Sequence, residues 1–123
     1  MAMTWNDSAP IYLQLREHIK AMILDGDLKA GDALPSVRQV SADFQLNPIT
    51  VSKAYQELVD ENLVEKRRGL GMYVNEGARA QLLASERQRF LSEDWPPLRA
   101  RLQRLGIELN DLPKAETTLG NDQ

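Results

Sequence analysis

The 123-residue sequence has no cysteine and a single histidine, His18. The absence of cysteine excludes disulfide bonds and thiolate metal sites. One histidine argues against zinc coordination and a histidine-dependent triad, and no nucleophile, base and acid stand at a catalytic spacing. We therefore expect no metal, no cofactor and no enzymatic activity.

Long apolar runs are missing as well. No stretch approaches the roughly 18 apolar residues that a membrane-spanning helix needs. Residues 1–7 lack the basic and apolar regions of a signal peptide. The sequence therefore predicts a cytoplasmic protein that makes no membrane contact.

The chain also lacks an excess of positive charge, since its formal net charge is −3 at pH 7. This argues against indiscriminate binding of nucleic acids, because Lys and Arg supply the affinity for phosphates. The charge is unevenly distributed, however, and Lys66-Arg67-Arg68 is the densest positive cluster. Such runs are usually only solvated, so its position in the fold decides its role.

Three amphipathic helices are predicted in the first half of the chain. The first begins at Pro10 and ends at Asp25-Gly26-Asp27, and residues 28–32 form a turn-rich link. Ser36 is the predicted N-cap of the second helix, with Gln39 completing a capping box. Asn47 can cap the third helix, and Pro48 suits its first position. In this third helix the apolar stripe leaves an opposite, outward face made of the polar Thr50, Ser52, Lys53 and Gln56 and the apolar Ile49.

A β-hairpin is predicted after these helices. Residues 63–66 and 72–74 form its strands, and Arg67-Arg68-Gly69-Leu70-Gly71 forms its glycine-containing tip. Two short helices followed by a hairpin make a winged helix-turn-helix, which places its second helix in the major groove of DNA. The predicted fold is therefore mainly α with a small β-hairpin, followed by two C-terminal helices.

The C-terminal part is predicted to form a helix from Ala78 to about Glu93, a break at Asp94-Trp95-Pro96-Pro97, and a helix capped by Gly106. Its apolar stripes are too large for the small core that one chain offers, so a twofold homodimer is the expected solution. The candidate dimerisation residues are Leu82, Leu83, Phe90, Leu91, Leu98, Leu102 and Leu105.

The length permits one compact domain and an appendage. We divide the chain into a flexible arm (1–8), a winged helix-turn-helix domain (9–76), a helical dimerisation segment (77–113) and a disordered tail (114–123). The C-terminal part is too short for a typical ligand pocket within one chain. Whether a small-molecule effector exists, and where it would bind, is left open.

With these motifs in place, the chain resembles the GntR family of bacterial winged-helix transcription regulators over about residues 9–76. The similarity includes Pro10-Ile11-Tyr12, Leu34-Pro35-Ser36-Val37-Arg38, Asn47-Pro48-Ile49-Thr50-Val51 and Arg68-Gly69-Leu70-Gly71-Met72-Tyr73-Val74. The C-terminal part is similar to the YtrA-like branch, through Trp95-Pro96-Pro97-Leu98 and Leu105-Gly106-Ile107. The sequence departs from the family in three places: many relatives have arginine or asparagine at Pro48 or Ile49, and arginine at Ser52. A glycine is usual at Asn62, and Asn also tolerates the left-handed conformation.

The resemblance implies DNA contacts at Arg38, at the start of the recognition helix and at the tip of the wing. Two further candidates are Lys53, on the exposed face of the third helix, and Lys66, in the basic cluster. Ser36 is included because it lies at the start of the second helix. Together the candidate DNA-binding residues are Ser36, Arg38, Asn47, Pro48, Ile49, Thr50, Ser52, Lys53, Lys66, Arg68 and Gly69.

Several alternatives stay open at this stage. Arg38 could pair with a surface acid instead of a phosphate, and Thr50 could be a helix-surface hydroxyl without a role. Ile49 could touch a thymine methyl group or pack against the second helix. The predicted function is a sequence-specific, homodimeric regulator, a repressor, on a palindromic double-stranded DNA operator. The alternative is a winged-helix module that binds proteins and not DNA.

Overall fold

The structure, a computed structural model, describes residues 5–114. The first four residues and residues 115–123 of the predicted arm and tail lie outside this range. The chain forms two compact units, one ending at Ser85 and the other beginning at Glu86. The helices are α1 (Ile11–Asp25), α2 (Val37–Phe44), α3 (Pro48–Asp60), α4 (Ala78–Arg89) and α5 (Trp95–Arg104); the strands are β1 (Val64–Arg67) and β2 (Gly71–Val74).

The first unit has a single apolar core. Helix α3 lies at its centre and packs against both α1 and α2, and four of its residues are at most 1% exposed. Burial of a large aliphatic side chain stabilises a fold by roughly 1.5–3 kcal/mol. The core residues are Leu15, Ile19, Ile23, Leu34, Val40, Val51, Ala54, Tyr55, Leu58, Leu63, Val64, Val74, Ala78 and Leu82.

The helix ends confirm Ser36 and Asn47 as N-caps but not the capping box, because within residues 5–114 the Gln39 side chain accepts no hydrogen bond from the Ser36 amide. Ser36 Oγ accepts a hydrogen bond from the Gln39 amide at 3.0 Å, and Asn47 Oδ1 accepts one from the Ile49 amide at 2.8 Å. Gly26 ends α1 in the left-handed conformation with φ of 88°. These short-range contacts fix where α2 and α3 begin.

The hairpin is antiparallel, with Val64 opposite Val74 and Arg67 opposite Gly71. Its second strand has a further neighbour, because the Leu34 amide donates to the Met72 carbonyl at 2.9 Å and the Val74 amide donates to the Asp32 carbonyl at 2.9 Å. The interpretation of residues 28–32 as a turn-rich link was incomplete. Asp32 at the end of this link pairs with the wing, and the pairing continues to Leu34.

Residues 5–8, the described part of the predicted flexible arm, contact the rest of the first unit. The Trp5 and Phe44 rings meet edge to face, with centroids 6.2 Å apart. The Asn6 amide donates to Gln14 Oε1 at 3.1 Å, and Gln14 Nε2 donates back to the Asn6 carbonyl at 2.8 Å. These four residues are therefore attached to α1 and α2.

The C-terminal helices are joined by continuous helical structure and not by the predicted break. Helix α4 ends at Arg89, and a π-helical segment (Phe90–Asp94) joins it to α5 without a loop. The Trp95 amide donates to the Phe90 carbonyl, five residues back. The two prolines fall in the first turn of α5, where a missing N–H is tolerated. Leu105 is the C-cap of α5, and Gly106 follows it in the left-handed conformation that ends the helix, with φ of 69°.

The candidate dimerisation residues differ in exposure. Leu82 is only 2% exposed and belongs to the core of its own chain, so it is not available to a partner and its prediction is corrected. Leu102 is half-buried. The others are between 41% and 62% exposed: Leu83, Phe90, Leu91, Leu98 and Leu105. In residues 5–114, every helix is too short or too polar to cross a membrane.

Candidate nucleic-acid interface

Helix α3 turns a defined face outward. Successive residues of an α-helix are about 100° apart, so the buried stripe at Val51, Ala54, Tyr55 and Leu58 fixes the opposite side. Ile49 lies near the centre of that side and is 74% exposed. Ser52, Lys53 and Gln56 are exposed around it, and Thr50 is half-buried at its edge.

The exposure of Ile49 decides one of the alternatives. A side chain packed against α2 would be largely covered, and three quarters of Ile49 is open. Ile49 therefore does not serve the packing of the helix-turn-helix. Asn47 and Pro48, which start the helix, are exposed beside it.

The hydroxyl of Tyr55 fixes α3 relative to the start of α2. It donates a hydrogen bond to the Pro35 carbonyl at 2.6 Å. The Tyr55 ring is buried, and desolvation raises the pKa of its hydroxyl. The neutral phenol therefore holds the segment that carries Ser36 beside α3.

A groove of about 360 Å3 lies between α3, the start of α2 and the hairpin. Ser52 and Gln56 line it from α3, Ser36 from α2, and Lys66 from the hairpin. The rest of its lining is mainly apolar, with Leu34, Pro35, Val37, Tyr55, Leu70 and Met72. The groove thus brings together three candidate residues from three different elements.

The residues of the basic cluster Lys66-Arg67-Arg68 do not all lie on the same face of the hairpin. Lys66 lines the groove beside α3, whereas Arg67, the next residue on the strand, lines a polar depression on the other side. Arg67 is also held there: it pairs with Glu65 at 2.7 Å and lies over the Tyr73 ring at 4.2 Å. This alternation is expected of a strand.

None of the four candidate cations has an acidic partner among residues 5–114: Arg38, Lys53, Lys66 and Arg68. All four are exposed. The interpretation of Arg38 as half of a surface ion pair is therefore not supported. Lys53 differs, because its ammonium group lies 4.1 Å from the centre of the Tyr12 ring on α1.

The tip of the hairpin depends on glycine. Gly69 has φ of 75° and Gly71 has φ of 113°, conformations that cost an L-residue with a side chain. No atom lies within 4 Å of a Cβ built at either glycine, so backbone conformation and not space requires them. Asn62, between α3 and β1, adopts φ of 66°, as the sequence predicted for the position where relatives have glycine.

Sequence reasoning missed two residues of this surface. Tyr12 was named only as part of the Pro10-Ile11-Tyr12 motif, and its contact with Lys53 joins positions far apart in the sequence. Leu70 was treated as part of the tip, but it is 68% exposed and also borders the groove. The sequence did contain a signal for Leu70, because a large apolar residue between two turn glycines is expected to be exposed.

An outward polar helix beside an unpaired basic, glycine-tipped hairpin defines the winged helix-turn-helix class of DNA-binding domains. The family described as "Bacterial regulatory proteins, gntR family" matches residues 11–74. The chain belongs to this family of transcriptional regulators.

Similar proteins extend the match beyond this domain. "HTH-type transcriptional repressor YtrA" of Bacillus subtilis is 39% identical over 105 residues, covering 85% of this chain and 80% of the relative. A solved transcriptional regulator from Oenococcus oeni is 34% identical with a TM-score of 0.72, covering 89% of this chain and 90% of that one. YtrA from Sulfolobus acidocaldarius, a GntR-family transcription factor, is 32% identical with a TM-score of 0.57, covering 75% and 97%. The chain is therefore YtrA-like.

Proposed function

We propose that this regulator is a cytoplasmic homodimer that represses transcription by binding a palindromic DNA operator. The observation that carries the proposal is the surface around α3. An outward helix face, four cations without an acidic partner among residues 5–114 and the glycine-tipped wing belong to one compact unit. The repressive direction is taken from the name of the similar Bacillus subtilis protein.

Phosphate contacts would come from the exposed cations and the helix starts. Arg38 is exposed on the first turn of α2, and Lys66 and Arg68 are exposed on the wing. Ser36 and Asn47 use one side-chain oxygen each for capping, and they mark where backbone amides of α2 and α3 point outward. Such amides and cations bind phosphates and position the protein without reading sequence.

Base contacts would come from the first turns of α3. The N-terminal part of a recognition helix is the part that reaches base edges in the major groove. Ile49, Thr50 and Ser52 occupy these turns, and Pro48 and Asn47 precede them. Lys53, held beside Tyr12, would reach a phosphate at the edge of the groove. The Arg68-Gly69 tip would lie along the adjacent groove.

Dimerisation would bury the apolar side chains that the C-terminal part leaves exposed. Leu98 and Leu105 lie on one side of α5, about 20° apart around its axis by helix geometry. Phe90 and Leu91 add exposed apolar side chains in the second unit, where Leu102 is half-buried, and Leu83 is exposed on the first unit. A twofold dimer would cover such side chains and present two recognition helices to half-sites about one DNA turn, or a multiple of it, apart.

The test is selection of DNA duplexes from a random pool by the full chain, followed by footprinting of the selected site. We expect a palindromic sequence and two chains per duplex. Ser52→Glu should abolish binding, because it places a carboxylate on the outward face of α3. Gln103→Glu is the control. It adds the same charge outside α3, and on α5 it lies about 140° around the axis from Leu98, away from the side proposed for dimerisation. Absence of selection, with capture of a protein instead, would favour the interaction module.

A further inference from the structure

Ile49 is the largest apolar interruption of the outward face of α3. It is a β-branched aliphatic side chain, 74% exposed, among exposed Ser52, Lys53 and Gln56. It makes no contribution to the core, and it lies one residue inside the Pro48 that starts the helix. An apolar group at this point has to meet an apolar group of the partner to gain anything from binding.

The DNA major groove offers few apolar groups. Its edges present hydrogen-bond donors and acceptors, and the C5-methyl group of thymine is the apolar exception. Ile49 can neither donate nor accept a hydrogen bond, so it gains nothing from guanine, adenine or unmodified cytosine edges. The residues around it can hydrogen-bond and would supply the polar contacts.

We propose that Ile49 is a specificity-determining residue that recognises the C5-methyl group of a thymine in each operator half-site. The inference rests on the proposed DNA binding and adds the chemical group that is read. A methyl group at C5 of cytosine occupies the same place on the groove edge. Methylation of a cytosine at the contacted position would therefore strengthen binding relative to unmodified cytosine.

The test uses the full chain and a duplex that it has selected from random DNA. Each thymine of a half-site is replaced in turn by deoxyuridine, which removes only the methyl group. At one position we expect affinity to fall about fourfold per half-site, the effect of losing one buried methyl contact. In Ile49→Ala the same replacement should have no effect, and in Ile49→Val the loss should persist.

The outcomes separate this inference from the proposed function. If duplex binding is normal and no uracil replacement weakens it, Ile49 reads no methyl group and the inference alone fails. An uracil effect that is unchanged in Ile49→Ala assigns the methyl contact to another residue and also overturns it. If the chain selects no DNA, both proposals fail. Because Ile49 lies outside the core, these variants should keep the wild-type melting temperature.

Discussion

The Tyr55 hydroxyl donates a 2.6 Å hydrogen bond to the Pro35 carbonyl, and this bond connects the recognition helix to the turn that starts α2. Tyr55→Phe removes the hydroxyl and leaves the ring in the core. We expect it to lower the free energy of unfolding by about 1 kcal/mol, the usual net contribution of a hydrogen bond. Urea denaturation measures the change. Tyr12→Phe is the control, since the Tyr12 hydroxyl makes no hydrogen bond with residues 5–114; an equal loss in both variants would contradict the assignment.

The pKa of Tyr55 makes stability depend on pH in the alkaline range. Desolvation raises this pKa in the folded state above its ordinary value of 10.0. The unfolded chain therefore loses this proton first, so stability is fully present below pH 10.0 and falls as the pH rises above it. Tyr55→Phe should lack this contribution. Urea denaturation of both proteins between about pH 8 and 11 would measure their free energies of unfolding. The advantage of the wild type over Tyr55→Phe should shrink above pH 10. An advantage that stays constant would contradict the raised pKa of Tyr55.

Arg38 is expected to contact a phosphate, since it is exposed and has no acidic partner among residues 5–114. Arg38→Ala should weaken binding to operator and unrelated DNA by the same factor. It should also lower the slope of log affinity against log salt by about 0.9, the value for one phosphate contact. Titrations at several salt concentrations measure both quantities. A loss confined to the operator would mean that Arg38 reads bases.

The neighbouring arginines of the wing provide a matched pair. Arg68 is exposed at the tip, whereas Arg67 is paired with Glu65 and lies over Tyr73 on the side of the hairpin away from the groove. Arg68→Ala should weaken DNA binding by roughly tenfold, as expected for a charge-assisted hydrogen bond of about 1.5 kcal/mol. Arg67→Ala should have little effect. Equal losses in the two variants, measured by electrophoretic mobility shift, would show that the net charge of the wing matters more than its geometry.

The apolar side of α5 is expected to form part of the dimer interface. Leu98→Glu places a charge among side chains that the proposed partner would bury, and such burial costs several kcal/mol. The variant should sediment as a monomer at concentrations where the wild type is a dimer. Gln103→Glu introduces the same charge on the other side of α5 and should stay dimeric. A dimeric Leu98→Glu variant would move the interface elsewhere.

Local chemistry was sufficient to predict most of the first unit. The side chains of Ser36 and Asn47 satisfy amides two or three residues away, so their positions in the sequence already determine where the helices begin. The outward direction of Ile49 followed from the spacing of the buried stripe alone. Strand alternation would also have separated Lys66 from Arg67, although the sequence interpretation treated them as one cluster.

Contacts between distant positions could not be predicted in the same way. Asp32 and Leu34 pair with β2 across about forty residues, and nothing in the local sequence specifies that register. Leu82 occupies an apolar helix position, and its spacing is the same whether it packs against its own chain or against a partner. Its burial in the first unit could therefore not be predicted from the sequence. The π-helical segment before Trp95 continues the helix into the two prolines, where a break was the simpler expectation from the sequence.

The pairing of residues 31–34 with β2 has a consequence for how fast the protein meets its target. The hydrogen bonds along Leu34 and Asp32 attach the base of the wing to the chain leading into α2. The wing and the start of α2 are thus held in place before the protein meets DNA. Little conformational entropy is therefore lost when the two molecules bind. Capture should then be governed by electrostatic steering and diffusion, with single-exponential association whose rate increases in proportion to DNA concentration.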